Sequence, residues 1–313
     1  MTTLLFSHPV CALHETPPGH PERSERMKAV LDALAAPAFA GLVRVEAPLV
    51  APEAILRVHP EDYVDAIRAS SPMAGLVGLD PDTTMGPHSL EAAERAAGAA
   101  TAAVDAVFEG RAANAFVACR PPGHHAERSR AMGFCLFNAA AIAARHAQVE
   151  RGARKVAIVD FDVHHGNGAQ DVFWDDPSVL YSSTHEMPLY PGTGAREEAG
   201  AHGQIVNAPL RAGDGGSAFR AAMEQLVLPR VEAFAPDLLI VSAGFDAHRR
   251  DPLAHLELEE GDFAWATSAL AAVARRACGG RLVSLLEGGY DLEGLGRSAA
   301  AHVGALMAAS DGG

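Results

Sequence analysis

Four short apolar runs, each passing at once into a loop rich in His, Asp, Gly or Tyr, constrain this chain more than any other feature. Asn114–Ala118 leads into RPPGHHA, Val156–Val159 into DFDVHHGNG, Asp237–Ser242 into AGFDAH, and Arg281–Leu286 into EGGYD. Between and after them lie stretches with helical patterning: Asn138–Val149, Ser217–Phe234, Glu259–Ala277, and a last one reaching about Ala309. Strands that alternate with helices build βαβ units, and hence a mostly parallel sheet with helices on both faces. In such a sheet the C-terminal ends of the strands lie along one edge, and ligands bind in the crevice there. The loops Arg120–Ala126, Asp160–Gly168, Gly244–His248 and Glu287–Asp291 are therefore expected to converge on one site.

The first half is less regular. Thr3–Phe6 and Leu42–Val45 read as strands, as does Val179–Ser183 further on, which is followed by THEMPLYPGTG. The Ala-rich stretch Glu91–Val107 reads as a helix because Ala has the best helix propensity, and Glu61–Ala69 as a shorter one. A helix is expected to begin near Pro21 or Glu22 and to bury Met27, Val30, Leu31 and Leu34. Ahead of it, His8, His14 and His20 lie in a Pro-rich loop and, together with His88, are expected at the rim of the site. Ser70–Ser89 is rich in Gly and Pro and reads as a surface loop. No linker or composition break divides the chain, so a single α/β domain over residues 1–313 is expected.

Charge narrows the function classes. Lys and Arg number 25 against 39 Asp and Glu, a net charge of −14, which leaves no footprint for a phosphate backbone. A chain this acidic tolerates or attracts cationic substrates instead. No stretch is long and apolar enough to span a membrane, and the N-terminus lacks the basic segment of a signal peptide. Cys11, Cys119, Cys135 and Cys278 form no CxxC pair; they suit free thiols in a reducing compartment and supply no thiolate metal site. A cytoplasmic location is expected, the oligomeric state stays open, and the abundance of Ala hints at a GC-rich bacterial genome.

The chemistry concentrates after Val159. Asp160, Asp162 and His164 alternate, so on a strand they share one face. Three such groups on a buried strand are costly unless something satisfies them, and a divalent metal does so. Carboxylate oxygen and imidazole nitrogen suit Zn²⁺, Fe²⁺ or Co²⁺. His165 would face away and serve structure. Asp246, in a Gly-flanked turn, can aim at the same point, and Asp246-x-His248 also has ligand spacing. His124 and His125 bring tandem imidazoles, which titrate near neutral pH, to the same edge. Tyr290 follows two glycines that free its backbone to turn inward.

Taken together, RPPGHHA, MGFCLFN, DVHHGNG, SAGFDAHRRDPL and EGGYD closely resemble the zinc-dependent histone deacetylase superfamily, which includes acetylpolyamine amidohydrolases and acetoin-utilisation proteins. The resemblance runs from about His8 to the EGGYD loop. RPPGHHA, and Asn167 where class I enzymes usually carry Asp, are similar to the class II branch. The resemblance implies an arginase-like three-layer α/β fold and one catalytic Zn²⁺ on Asp162, His164 and Asp246, a site that Fe²⁺ could also fill. It implies His125, supported by Asn167, as main general base and acid, and His124, held by Asp160, as electrostatic support. Tyr290 would donate to the developing oxyanion. A structural K⁺ would be held by Asp160, Asp162, His164 and the hydroxyl of Ser183. Gly133, Phe134 and Tyr190 would wall a narrow channel, and Arg26 would line a cavity beneath the metal. Leu253 stands where polyamine-selective relatives carry Glu, which argues against a charge-gated polyamine pocket.

The expected function is hydrolysis of N-acetyl amides, of the acetyl-lysine type, with release of acetate through a metal-activated water. The substrate would be an acetylated lysine peptide or protein, or a small acylated amine; no nucleic acid or membrane partner is expected. Three alternatives stand beside it. One is an acetylpolyamine or other small-molecule amidohydrolase. Another is an arginase-like binuclear hydrolase using His248, against which Asn167 stands where a further carboxylate would be wanted. The third is a non-catalytic acyl-lysine binder, which Tyr290 and the His pair disfavour.

Overall fold

The structure is a computed structural model and describes residues 2–311. Its strands, in chain order, are β1 (Thr3–Ser7), β2 (Val43–Glu46), β3 (Val77–Gly78), β4 (Thr84–Met85), β5 (Asn114–Val117), β6 (Val156–Asp160), β7 (Val179–Glu186), β8 (Ile205–Leu210), β9 (Leu238–Ala243) and β10 (Leu282–Leu286). Eight of them form one sheet in the order β2-β1-β5-β10-β9-β6-β7-β8, and every neighbouring pair in it runs parallel. Strands β5, β10, β9 and β6 are adjacent at its centre. Each is buried along its whole length, as expected for parallel strands covered on both faces. The four polar loops leave from these four neighbours, which is why they meet.

Two helical layers cover the sheet. Helices Glu25–Ala33, Glu260–Cys278 and Leu292–Asp311 pack together, and Ser89–Phe108 packs with Ala139–Arg151. Ala139–Arg151 starts where Asn138 accepts the Ala141 N–H (3.0 Å) and stops at Gly152, whose φ of 69° is left-handed. Among the described residues no helix is long and apolar enough to cross a membrane.

The structure corrects several local expectations. The helix expected from Pro21 or Glu22 begins at Glu25. Glu22 is instead bent back by its own N–H, which donates to His20 Nδ1, and its carboxylate is drawn into a buried pair with Arg26. Met27, Val30 and Leu34 are buried as expected, while Leu31 is half-buried. Ser70–Ser89 contains the antiparallel β3–β4 hairpin, with Thr83 and Met85 buried. Strand β8 is missing from the sequence reading because Asn207 and Pro209 interrupt its apolar pattern; as an edge strand it tolerates a residue without an N–H. Ser217–Phe234 is helical but carries a π-turn at Met223–Val227. The glycines after His165 do not open a long loop: a buried helix, Asn167–Phe173, starts there.

Candidate active site

Strand β6 ends at Asp160, and the chain bends over residues 162–164, outside the strand. Asp160, Asp162 and His164 therefore do not line one strand face as the alternation implies. Asp160 stays on the sheet, in register with Ser183 of β7. Asp162 and His164 are carried over the sheet edge toward Asp246, which follows β9.

Ligand atoms of Asp162, His164 and Asp246 lie within 4.8 Å of one another, and all three residues are buried. The bend fixes them: the Val163 N–H donates to Asp246 Oδ1 (2.9 Å), the His164 N–H to Asp162 Oδ1 (2.9 Å), and the Gly288 N–H to Asp162 Oδ2 (2.7 Å). His164 Nδ1 sits 3.1 Å from both Asp162 Oδ1 and Asp246 Oδ2. Burial opposes protonation of His164, but the two carboxylates outweigh it and hold the imidazole up to about 10. Burial, then the charge of Asp162, pushes Asp246 up to about 6. The cluster thus draws positive charge to the point between the three side chains. Two hard oxygens and one imidazole nitrogen make a donor set that suits a divalent ion such as Zn²⁺. Glycines leave the room: a Cβ at Gly288 would stand 2.0 Å from Asp246 Oδ2, and one at Gly244 2.0 Å from Asp162 Oδ2.

The tandem histidines lie beside this cluster, with ring centroids 4.0 Å apart. His124 Nδ1 meets Asp160 Oδ2 at 3.0 Å, and the Tyr181 hydroxyl donates to the same oxygen (3.0 Å). Burial works against charge on His124, yet Asp162 and Asp160 together raise it well above the usual histidine range. His125 Nδ1 meets Asn167 Oδ1 at 2.8 Å. Burial, then the neighbouring His124 and His164, lower His125 well below that range. Two imidazoles in contact are thus driven apart, one toward the charged form and one toward the neutral form. Asn167 is oriented in turn by donating to Glu127 Oε1 (2.7 Å).

A cavity of about 200 Å³ leads from His125 and His164 outward between Phe134, Tyr190, Leu253 and Tyr290. The Phe134 and Tyr290 rings meet edge to face (5.9 Å), as do His125 and Tyr190 (5.2 Å). Gly133 is needed because a Cβ there would stand 2.4 Å from the His125 ring, and Phe134 holds a left-handed φ of 68°. A non-glycine residue in that region is a strained position of the kind that clusters at functional sites.

Other expectations resolve individually. His165 is buried away from the cluster, on Thr193 Oγ1 (2.8 Å) and Gln170 Oε1 (3.0 Å). His248 turns to Glu260 (3.6 Å) and takes the Arg250 N–H, so the Asp246-x-His248 spacing does not bring both side chains to one point. Ser183 Oγ bonds to His185 Nδ1 (2.9 Å). Of the N-terminal histidines, His20 packs edge-on against Phe134 (4.7 Å), His14 is buried on Ser89 and Glu22, and His8 pairs with Glu46. Arg26 lies behind Tyr290, its guanidinium 4.9 Å from the ring, and donates to the carbonyls of Glu287 (2.5 Å) and Gly289 (2.6 Å).

Three contributors escape the sequence reading. Asp82, at the β3–β4 turn, and Leu189 line the cavity, and neither carries a local signal. Glu287 is buried under the His pair, where its Oε2 accepts the N–H groups of Gly123 (2.7 Å) and His124 (3.2 Å). Its place at the head of EGGYD could have marked it.

The sequence model of the histone deacetylase domain matches residues 20–306. A histone deacetylase-like amidohydrolase of Pseudomonas aeruginosa is 42% identical over 274 residues, covering 86% of this chain and 71% of that protein. A probable deacetylase of Archaeoglobus fulgidus is 38% identical over 300 residues, covering 94% and 83%. The crystal structure of the HDA15 HD domain superposes with a TM-score of 0.93 at 38% identity, over 98% of this chain and 89% of that one.

Proposed function

Because this chain belongs to the histone deacetylase family of hydrolases, we propose that it hydrolyses N-acetyl amides of the acetyl-lysine type at a Zn²⁺ held by Asp162, His164 and Asp246. The observation that carries the reading is the placement of this buried donor set at the foot of a channel flanked by His125 and Tyr290. An extended acyl-amine arm suits the channel: its walls at Phe134, Tyr190 and Leu253 are apolar or aromatic, Leu253 supplies no carboxylate for a polyamine charge, and the carboxylate lining it is that of Asp82. Zn²⁺ bound there supplies Lewis acidity toward an acyl carbonyl and lowers the pKa of water.

The chain's own groups divide the remaining work. Asn167 Oδ1 accepts from His125 Nδ1, which fixes the tautomer with the Nε2 lone pair free. His125 Nε2 takes the proton of the attacking water and passes it to the leaving amine. His124, kept cationic by Asp160 and Asp162, offsets the negative charge that develops beside it. The Tyr290 hydroxyl donates to the carbonyl oxygen as that oxygen becomes negative. The pairing of Asp160 with Ser183 across β6 and β7 supports a K⁺ on Asp160, Asp162, His164 and Ser183 beneath the site. A single catalytic domain in the cytoplasm completes this reading.

A panel of acetyl-lysine peptides and acetylspermidine, run with zinc-loaded, iron-loaded and metal-stripped protein, tests it through acetate release. Turnover of the peptides that needs metal is expected, with acetylspermidine slower. Absence of acetate from every substrate at full metal occupancy would refute hydrolysis, and a preference for acetylspermidine would replace the acetyl-lysine assignment.

A further inference from the structure

Tyr290 must place its hydroxyl to within a fraction of an ångström to serve as an oxyanion donor, yet that hydroxyl makes no hydrogen bond with the described residues. Its position is set through its backbone and ring. The segment that carries it is inherently free to turn, with Gly289 at a φ of 122°. Arg26 holds this segment from the carbonyl side, through Glu287 and Gly289. From the amide side one group holds it: the Tyr290 N–H donates to Asp251 Oδ2 at 2.7 Å.

Asp251 is buried, and among the described residues it forms no ion pair. Its other oxygen, Oδ1, accepts the N–H of Leu253 at 3.0 Å, and its own N–H donates to the His248 carbonyl (2.8 Å), which anchors it to the loop after β9. Each carboxylate oxygen is therefore committed to one backbone amide, and both amides belong to residues that line the channel. A buried carboxylate without a cationic partner is costly to keep, and two backbone amides are what compensate it here. Burial, then the charge of Asp246, pushes the Asp251 carboxyl up to about 7.

We propose that Asp251 is a positioning residue that sets Tyr290 and Leu253 together, so that the oxyanion donor and the channel wall take their registration from a single carboxylate. The inference rests on the reading of Tyr290 as the oxyanion donor. Its consequence is that substitutions at Asp251 act on catalysis through Tyr290 and leave metal binding intact.

Asp251→Asn is nearly isosteric, but an amide presents one accepting oxygen in place of two, so one of the two N–H groups loses its partner. With kcat and KM measured on an acetyl-lysine peptide and metal content measured by elemental analysis, the expected result is a kcat lower by roughly 10-fold, the scale of one charge-assisted hydrogen bond. KM should move much less and zinc stoichiometry not at all. In a Tyr290→Phe background the same substitution should have no further effect, because groups that act as a unit are not additive. Asp251→Glu, which keeps the charge but displaces it by one methylene, goes through the same two backgrounds if the Asn variant is recovered unfolded. Wild-type kcat in both variants, or an equal loss with and without the Tyr290 hydroxyl, overturns the inference and leaves the oxyanion role standing. Undiminished turnover in Tyr290→Phe alone removes the oxyanion role and this inference with it.

Discussion

Gly288→Ala should disable the proposed metal site without replacing any of its ligands. The added Cβ would stand 2.0 Å from Asp246 Oδ2 and 2.6 Å from Asp162 Oδ2, against ordinary contacts of 3.4–4 Å. Relief by backbone movement is blocked, because the Gly288 N–H is bonded to Asp162 Oδ2 (2.7 Å) and its carbonyl accepts the Phe245 N–H (3.0 Å). Alanine meets no conformational penalty there, since Gly288 has no left-handed φ. The strain therefore falls on the carboxylates, which must shift by about 1 Å, whereas ligand distances tolerate only about ±0.2 Å. Disturbing groups that merely orient ligands typically costs 10- to 100-fold in metal affinity, so displacing two ligands should cost at least about 100-fold. The assay is competition for Zn²⁺ against a chromogenic chelator, with circular dichroism as a check on folding. Gly261→Ala is the control: nothing lies within 4 Å of its added Cβ, and Gly261 sits in the first turn of the helix Glu260–Cys278, where Ala should be tolerated without loss of stability. Wild-type resistance to the chelator in Gly288→Ala would refute the assignment of Asp162 and Asp246 as ligands.

Asp162→Ala should lose zinc and activity together; full metal occupancy in that variant contradicts the same assignment. Tyr290→Phe should keep zinc and lose kcat by about 10²–10³-fold, the scale of one oxyanion donor, which steady-state kinetics with metal analysis will show. Stability should fall as pH drops below 6.5, in part through His302. It is fully buried between Thr267 Oγ1 (2.6 Å) and Ser284 Oγ (2.8 Å), and burial lowers it to about 3. Between those two pH values the unfolded chain binds a proton that the folded chain refuses, so this contribution is present above 6.5 and lost toward 3, at about 1.4 kcal/mol per pH unit. Urea denaturation across that range should give a shallower pH slope for His302→Gln, and an unchanged slope would show that His302 is not buried in its neutral form.

Much of the site was legible because its chemistry is carried by residue types that are rare together. His124, His125, Asp162, His164, Asp246 and Tyr290 each follow an apolar run, and a parallel sheet must deliver such residues to one edge. Sequence by itself therefore determined the layer architecture, the edge that carries the chemistry and the candidate residues from which metal donors are drawn. It could not determine how the donors share their roles. Alternation made Asp160, Asp162 and His164 equivalent; the fold separates them, because β6 stops at Asp160 and the chain bends over residues 162–164. Nor could it show that β5, β10, β9 and β6 would be neighbours, since strand order comes from packing between segments far apart in the chain. The same holds for Asp82, Glu287 and Asp251. Each acts through contacts to backbone or cavity made across long sequence separations, and such contacts leave no periodic mark in the local sequence.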